Sequence, residues 1–437
     1  MGMNEPRIPS TPMRSVCDRL GESYDEVIHP SGLTVLVSHK DLSTYHAVLG
    51  VRYGASDRPL AFSLPRGVAH FLEHKMFERE KGSYDDDFGA LGADVNAYTT
   101  YDRTAYMFSC TQHFPEALRL LLTMSRELTV SSHSVARERD IIAEEIRMNA
   151  DDPWERCYAE LLRALYVRHP VREEICGSES SIRRITPRLL ALTHETFYRP
   201  DNMVLAVSGR TDVSEVLAVV DEIFGTTPWT EEALPALSAI KEPSTIASAR
   251  VVRRMDTAKP LFAIGVKHPA PPEGARALLT CDLSMSVLSE MLFSHAGDFY
   301  SDLFERGVVS PGMSYSTALG DGYACFSISG ECDDPDEVLT AFNAYIERLR
   351  TEGLSRADFE RVRRVLYAAY VSGFDSVEDI ASSLLDYALD SLHDEERIGV
   401  YDYLSVVEAL TLEDVEKMFK EVFCPERVAL SVILPLA

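Results

Sequence analysis

The sequence predicts an α+β protein of two homologous, duplicated domains, each a largely antiparallel sheet packed with helices. Three observations favour this fold class. The chain repeats itself at a period of about 222 residues. A stretch of linker composition separates the two copies, and neighbouring strands are joined by turns too short for parallel crossovers. With 437 residues, the chain is also too long for one ordinary hydrophobic core.

The repeat is clearest near the end of each copy. Ile185–Leu189 begins a Thr-capped helix that leads to Phe197–Asp201 and then to an apolar strand. About 225 residues later, Leu410–Asp414 leads to Val422–Glu426 and again to an apolar strand. Coincidence between common helix and strand patterns is the alternative explanation. A second match makes it weaker, because Thr104–Thr111 and its counterpart Tyr323–Gly330 each run into a Pro-initiated pair of helices.

Strand neighbours indicate the type of sheet. Val95–Thr100 and Arg103–Thr111 flank the dipeptide Tyr101-Asp102, which is long enough only for a hairpin turn. Such pairs favour antiparallel pairing. The segment 225–248 is rich in Thr, Pro, Glu, Ala and Ser, as linkers are. The predicted division is an irregular N-terminal arm at 1–22, a first domain at 23–228, a linker at 229–247 and a second domain at 248–437.

Composition excludes several classes of function. The formal net charge of −26 repels nucleic acid and anionic membranes. No uninterrupted apolar run reaches the length of a membrane span, and the first residues lack a signal-peptide core. The eight cysteines are scattered without Cys-x-x-Cys pairs, a pattern typical of a reduced compartment. We therefore expect a cytoplasmic protein that binds neither nucleic acid nor membranes.

The chemistry is concentrated in one short helix, predicted over Gly67–Glu80. His70 and His74 lie four residues apart and therefore on one helix face, where both imidazoles can bind one Zn²⁺ ion. Glu73 lies beside them and can reach a water molecule at the metal. This His-x-x-Glu-His spacing is the inverzincin pattern. It arises by chance roughly 0.03 times in a chain of this composition, so ordinary helix histidines are the weaker explanation.

Zinc requires a third protein ligand, and the helix predicted over Ser134–Asn149 offers two candidates. Glu145 falls on a stripe with other residues that the pattern predicts to be buried, namely Glu138, Ile141, Ile142 and Met148. Glu144 shares its face with charged residues and is the more solvated candidate. Periodicity favours Glu145 but leaves both open.

Several motifs resemble the pitrilysin and mitochondrial-processing-peptidase family of zinc peptidases, of which this chain looks like a half-length, bacterial-type member. They are His70–Phe77, Gly92–Thr99, Glu138–Ile146, His169-Pro170, Gly177 and Phe197–Gly209. The resemblance covers almost the whole chain. It implies two similar domains of which only the first binds metal, one zinc ion per chain, and ligands His70, His74 and Glu145.

The resemblance also implies the roles of other residues. Glu73 is the catalytic base and Glu138 an assisting carboxylate. Asn96 and Ala97 lie on an edge strand that pairs with the substrate backbone, whereas a turn-flanking Asn is the alternative interpretation of Asn96.

One segment departs from the family pattern. Active relatives carry an Arg followed seven positions later by a Tyr in the second domain. Here Phe304 occupies the Arg position, and three residues are inserted before Tyr315. Tyr315 and Arg306 are the candidates for contacting substrate from this domain.

The leading functional hypothesis is a zinc-dependent endopeptidase or oligopeptidase acting on peptides held as an added edge strand. The alternatives are a non-catalytic or partner-dependent subunit of a peptidase-like assembly, and a zinc hydrolase acting on something other than peptide. Family members with chains of this length imply a homodimer or a heterodimer with a homologous chain.

Overall fold

The structure is a computed structural model that describes residues 10–227, 233–238 and 240–436. Its strands are β1 (Met13–Cys17), β2 (Glu22–Ile28), β3 (Thr34–His39), β4 (Tyr45–Val51), β5 (Asp94–Thr99), β6 (Thr104–Cys110), β7 (Met203–Gly209), β8 (Arg250–Met255), β9 (Leu261–Lys267), β10 (Ser314–Gly320), β11 (Tyr323–Glu331) and β12 (Val428–Pro435). The helices of the first half are α1 (Val68–Met76), α2 (Tyr84–Ala90), α3 (Phe114–Arg126), α4 (Ser132–Asp151), α5 (Pro153–Leu165), α6 (Glu179–Ile182), α7 (Pro187–Phe197) and α8 (Val213–Phe224). Those of the second half are α9 (Ala275–Phe293), α10 (Asp298–Glu305), α11 (Pro335–Glu352), α12 (Arg356–Ser372), α13 (Val377–Asp390), α14 (Asp402–Ala409) and α15 (Leu412–Val422).

The chain forms two compact units. Unit 1 comprises Met1–Ala143, Ile175–Ser238 and Ala369–Asp402, and it contains a seven-stranded sheet of order β1-β2-β3-β7-β4-β6-β5. Within this sheet β3 and β7 are parallel, and the other neighbours are antiparallel. The predicted hairpin around Tyr101-Asp102 is confirmed, since β5 pairs with β6 and ends the sheet.

Unit 2 comprises Glu144–Glu174, Ala239–Ala368 and Tyr403–Ala437, and it repeats the same topology. Its five-stranded sheet has the order β8-β12-β9-β11-β10, which matches β3-β7-β4-β6-β5 of unit 1 strand for strand. The single parallel pair recurs as well, between β8 and β12. The α+β class, the largely antiparallel sheets and the duplication are therefore confirmed.

Each sheet is covered on one face by a helix that comes from the other half of the sequence. Helix α13 packs on β4 and β7 in unit 1, and α5 packs on β9 and β12 in unit 2. A Cβ atom at Gly50 of β4 would stand 2.7 Å from Leu385 and 2.5 Å from Leu389. A Cβ atom at Gly265 of β9 would likewise stand too close to two leucines of α5. In both sheets a glycine makes room for two leucines of the covering helix.

These covering helices change the division predicted from the sequence. Each compact unit consists of three segments, so the units do not coincide with sequential domains at 23–228 and 248–437. Long helices bury their apolar faces on whichever sheet lies within reach, and sequence order alone cannot reveal which sheet that is. The arm at 1–22, expected to be irregular, contains β1, which pairs with β2; residues 1–9 of this arm lie outside the described residues.

The predicted linker at 229–247 is partly anchored in unit 2, although 229–232 and 239 lie outside the described residues. The Glu242 carboxylate accepts hydrogen bonds from the backbone N–H groups of Val167 and His169, at 2.8 and 2.7 Å. The ammonium group of Lys267, 2% exposed, lies 2.5 Å from the same carboxylate. A buried charge needs such a partner, so Glu242 fixes this end of the linker.

The segment Ala275–Glu305 is long and apolar enough to cross a membrane, which the sequence prediction did not anticipate. Of its most apolar 18 residues, 67% are buried inside the protein. Helix α9 packs on β10 and β11 and carries Met285, Leu288 and Phe293 in the core of unit 2. The apolar character of α9 is that of a core helix.

Candidate active site

The first part of the site is carried by α1, which follows Gly67. The apolar residues Val68, Phe71, Leu72 and Met76 are buried and form one stripe along this helix. The helix ends at Met76, earlier than the predicted Glu80, because Glu78 forms an antiparallel bridge with Ser83. Burial of the apolar stripe fixes the rotation of α1 and turns the side chains of His70, Glu73 and His74 toward one face.

The second part is carried by α4. Glu138 is 8% exposed and Ile142 is fully buried, while Glu145 is half-buried. The predicted buried stripe is wrong for Ile141 and Met148, which are 50% and 65% exposed. The helix buries a face running through Val135, Glu138, Ile142 and Ile146, so Glu145 lies at the edge of this face rather than at its centre.

The tertiary structure brings His70, His74 and Glu145 together. One possible ligand atom from each residue lies within 4.8 Å of the other two. The two imidazole rings have centroids 4.6 Å apart. Two ligands of one zinc ion, each about 2.0–2.2 Å from it, are up to about 4 Å apart, so only a small movement of side chains is needed. Two nitrogens and one carboxylate oxygen also form a donor set that zinc prefers, and the residues therefore fit the ion.

The neighbours of His74 orient it for metal binding. Its Nδ1 lies 3.0 Å from Oε1 of Glu138, which leaves Nε2 for the metal. Burial raises the pKa of Glu138, but the hydrogen bond from His74 and the charges of Lys75 and Arg137 outweigh burial and lower this pKa overall. Glu138 is thus held as a carboxylate. The fully buried Lys75 forms an ion pair with Glu78.

Glu73 is held by Thr99, a residue that the sequence reasoning missed. The Thr99 hydroxyl donates a hydrogen bond of 2.5 Å to Oε2 of Glu73. In β5 exposure alternates, and Val95, Ala97 and Thr99 are its half-buried residues. The alternation that predicts a strand could therefore have assigned Thr99 to the same face as Ala97.

The edge position predicted for Asn96 and Ala97 agrees with the structure. Both lie in β5, the last strand of the sheet. Among the described residues, β5 has β6 as a neighbour on one side and no strand on the other. The Asn96 side-chain oxygen accepts the N–H of Ala97 at 2.8 Å. A cleft of about 420 Å³ runs along this strand beside His74. Its lining includes Glu73, His74, Phe77, Glu78, Ser83, Asp85, Val95, Asn96, Ala97, Arg137 and Glu138.

The candidates from the second domain lie in unit 2, where carboxylates engage both. Arg306, directly after α10, donates hydrogen bonds to Asp302 and Glu337 at 2.8 and 2.7 Å. The hydroxyl of Tyr315, in β10, donates to Glu290. Burial and the Glu290 charge raise the pKa of Tyr315 to about 12, so the phenol stays protonated. Phe304 is 45% exposed and stacks on Tyr300.

Exchanging the two adjacent glutamates of α4 distinguishes the candidate ligands. We expect Glu145→Gln to weaken zinc binding more than about 100-fold, because even changes outside the ligand shell cost 10–100-fold. Glu144→Gln is the matched control and should leave zinc binding unchanged, since Glu144 is 75% exposed and pairs with Arg147. Competition titration against a zinc-binding dye measures both affinities. Equal affinities of the two variants would mean that Glu145 is not a ligand.

Two neighbouring stretches of the chain match protein-family models. Residues 64–179 match the family described as insulinase (peptidase family M16), and residues 184–366 match the peptidase M16 inactive domain. A Bacillus subtilis relative, the zinc protease YmfH, is 30% identical over 413 residues, covering 93% of this chain and 95% of the relative.

Two further matches agree. A solved structure of an M16-like peptidase from Alicyclobacillus acidocaldarius superposes with a TM-score of 0.89 at 31% identity, covering 95% of this chain and 99% of the other. An Arabidopsis thaliana protein named as mitochondrial-processing peptidase subunit beta is 25% identical and covers 93% of this chain and 77% of its own length. With its duplicated fold and its His-x-x-Glu-His helix, the chain belongs to the M16 peptidase family.

Proposed function

We propose that this protein is a zinc-dependent endopeptidase or oligopeptidase that holds one Zn²⁺ ion per chain through His70, His74 and Glu145. The observation that carries the proposal is the meeting of these three side chains beside Glu73 at the edge of a sheet. Zinc, when bound, supplies a Lewis acid that makes water a nucleophile near neutral pH and polarises a carbonyl. The names of relatives such as YmfH support the metal and the reaction class.

The residues of the chain supply the remaining steps. Glu73 takes the proton of the attacking water and delivers it to the leaving amine. Thr99 orients the Glu73 carboxylate through its hydrogen bond. Glu138 positions His74 and keeps its tautomer fixed.

Substrate binding follows from the free edge of β5. The backbone of Asn96 and Ala97 can pair with an extended peptide, which places a peptide bond next to Glu73 and His74 along the same cleft. Main-chain pairing tolerates many side chains, so this mode favours peptides over other zinc hydrolase substrates. Contacts of Arg306 and Tyr315 with substrate would require both side chains to exchange their present carboxylate partners.

Digestion of a mixed peptide library tests the proposal. We expect the purified chain to cleave peptides, a metal chelator to stop cleavage, and stoichiometric zinc added after removal of the chelator to restore it. Mass spectrometry of the products should show that the peptides are cut at internal peptide bonds. Cleavage that continues unchanged after the metal has been removed would contradict the zinc mechanism.

A second candidate function is a partner-dependent subunit. The match of residues 184–366 to a domain described as inactive favours it, as does the Arabidopsis relative named as a subunit. Under this alternative the chain binds zinc by itself. It cleaves peptides only after a homologous partner is added. We propose a pair formed with a second copy or a homologous chain, in the cytoplasm. Mass identification of co-purifying proteins from the native source distinguishes these pairings.

A further inference from the structure

The turn that joins β5 to β6 is held by contacts on two sides, both within unit 1. On one side, the backbone N–H group of Ser56, just after β4, donates a hydrogen bond of 2.7 Å to the carbonyl oxygen of Tyr101. On the other side lies Arg103, the last residue before β6, whose side chain is only 11% exposed. The position of the end of β5 therefore depends on what Arg103 binds.

The Arg103 guanidinium binds three carboxylates. Within the turn, its Nη2 donates to Oδ2 of Asp102 at 3.0 Å. From α13, Asp386 accepts a hydrogen bond from Nη1 at 2.7 Å, and Asp390 accepts one from Nη2. The rigid fork of five N–H donors suits such an arrangement, whereas a lysine ammonium is a single point of charge. We define the Arg103 cluster as Arg103, Asp102, Asp386 and Asp390.

The part of α13 that Arg103 binds is itself fixed. Leu385 and Leu389, which directly precede the two aspartates, are buried and pack over Gly50 of β4. This packing sets the rotation of α13, and Asp386 and Asp390, four residues apart, then project from one side of the helix. Arg103 thus joins the end of the edge strand to a helix that is fixed on an interior strand of the same sheet.

The internal duplication shows that the fold does not require this cluster. In unit 2, two leucines of α5 pack over Gly265 as two leucines of α13 pack over Gly50. The residues that follow these α5 leucines are Leu162 and Tyr166, where α13 has its aspartates, and the residue before β11 is Gly322. Uncharged residues therefore serve at the corresponding corner of unit 2. The charged cluster belongs to the unit that carries the His-x-x-Glu-His helix.

Thr99 connects the Arg103 cluster to the candidate active site. It is the last residue of β5 and pairs with Thr104, the residue that follows Arg103. Its hydroxyl donates the 2.5 Å hydrogen bond to Glu73. Movement of the turn would carry Thr99 away from the Glu73 carboxylate, and misplacement by about 1 Å can cost about 100-fold in rate.

We infer that Arg103 is a positioning residue for peptide cleavage, which holds β5 and, through Thr99, the Glu73 carboxylate in the geometry that the reaction needs. This role rests on the proposed function. It gives the second half of the sequence, through Asp386 and Asp390, a part in positioning a catalytic group carried by the first half.

Two variants break the link from opposite ends. Arg103→Gln removes the cation, and the combination of Asp386→Asn with Asp390→Asn removes its partners on α13. The second variant guards against a folding defect, because it leaves no group of uncompensated carboxylates and because both aspartate side chains are about half exposed, at 50% and 43%. Circular dichroism checks that both variants keep their fold.

Steady-state kinetics on a peptide that the parent chain cleaves measures the effect. We expect both variants to lower kcat at least about tenfold and to raise KM several-fold, because β5 also pairs with the substrate. Zinc content should stay that of the parent, since no member of the Arg103 cluster is a candidate ligand. Partial unfolding would instead lower the apparent kcat and leave KM unchanged, so the rise in KM separates positioning from a loss of folded protein.

A double-mutant cycle tests the route through Thr99. Thr99→Val removes the hydroxyl at constant shape and should lower kcat about 10–100-fold, as the loss of an orienting partner does. When Arg103→Gln is added to Thr99→Val, kcat should stay within about twofold of Thr99→Val alone, because both changes interrupt the same contact.

Hydrogen exchange gives a readout that needs no peptidase activity. The amides of β5 should exchange faster than in the parent chain in both Arg103→Gln and the Asp386 and Asp390 variant. Arg119→Gln is the matched control. Arg119 forms two hydrogen bonds with Glu222 in another part of unit 1, so its replacement should leave kcat, KM and exchange in β5 unchanged.

The outcomes separate this role from the proposed function. A parent chain that cleaves no peptide would overturn the role in cleavage together with the proposed function, whereas exchange in β5 would still decide whether Arg103 fixes the strand. With an active parent, only the role of Arg103 falls if kcat and KM are unchanged in either variant, if exchange in β5 is unchanged, or if the losses of Arg103→Gln and Thr99→Val multiply.

Discussion

Replacing Glu73 with glutamine is expected to lower kcat for peptide cleavage by at least about 10³-fold while zinc stays bound. General acid–base catalysis contributes about 10²–10⁴-fold to the rate. In the proposed mechanism Glu73 transfers a proton twice, first from the attacking water and then to the leaving amine. Glutamine keeps the size of the side chain and can still accept the hydrogen bond from Thr99. The zinc ligands are unchanged, so the metal content of Glu73→Gln should equal that of the parent chain. Steady-state kinetics and metal analysis of the same preparation measure both quantities.

The matched control for Glu73→Gln is Glu80→Gln. Glu80 is exposed and lies just past α1, so its replacement should leave kcat and zinc content unaffected. If Glu73→Gln keeps kcat within tenfold of the parent, another group is the base and the proposed mechanism is wrong. Loss of zinc from Glu73→Gln would instead mean that Glu73 contributes to metal binding.

Truncating Leu385 to alanine is expected to reduce the free energy of unfolding of unit 1 by about 2–5 kcal/mol. Leu385 is fully buried, and it packs over Gly50 of β4 together with Leu389. Alanine leaves a cavity between α13 and the sheet that neighbouring side chains fill only in part. Urea unfolding of the variant and parent measures the difference.

The location of the effect tests whether each sheet is covered by a helix from the other half of the sequence. Hydrogen exchange in Leu385→Ala should accelerate in β4 and β7, although Leu385 lies in the second half of the sequence. Leu161→Ala, the corresponding change in α5, should accelerate exchange in β9 and β12. Glu378→Ala, on the exposed side of α13, is the control and should change stability by less than about 0.5 kcal/mol. Faster exchange confined to β9 and β12 in Leu385→Ala would contradict the packing described.

The candidate site divides into residues that local patterns predict and residues that they do not. The spacing of His70 and His74 fixes both on one face of a helix, because helical geometry depends on near neighbours in sequence. The preference for Glu145 over Glu144 as a ligand stays a prediction, although the structure places Glu145 near both histidines. Part of the stripe on which that preference was based is exposed, because Ile141 is 50% exposed. Periodicity predicts which face of α4 is buried only to within about one residue position, so it could not by itself separate Glu145 from the adjacent Glu144.

The sequence by itself determined the duplication, the α+β class, the edge strand with Asn96 and the helix that carries the His-x-x-Glu-His motif. Each depends on spacing or repetition along the chain, which physical chemistry translates directly into helix faces, strands and repeats. Only the tertiary structure decided that Thr99 holds Glu73, that Glu138 holds His74, and that α5 and α13 cover sheets of the opposite halves. Those contacts join elements distant in sequence, and burial of apolar surface selects among such partners without leaving a local signal.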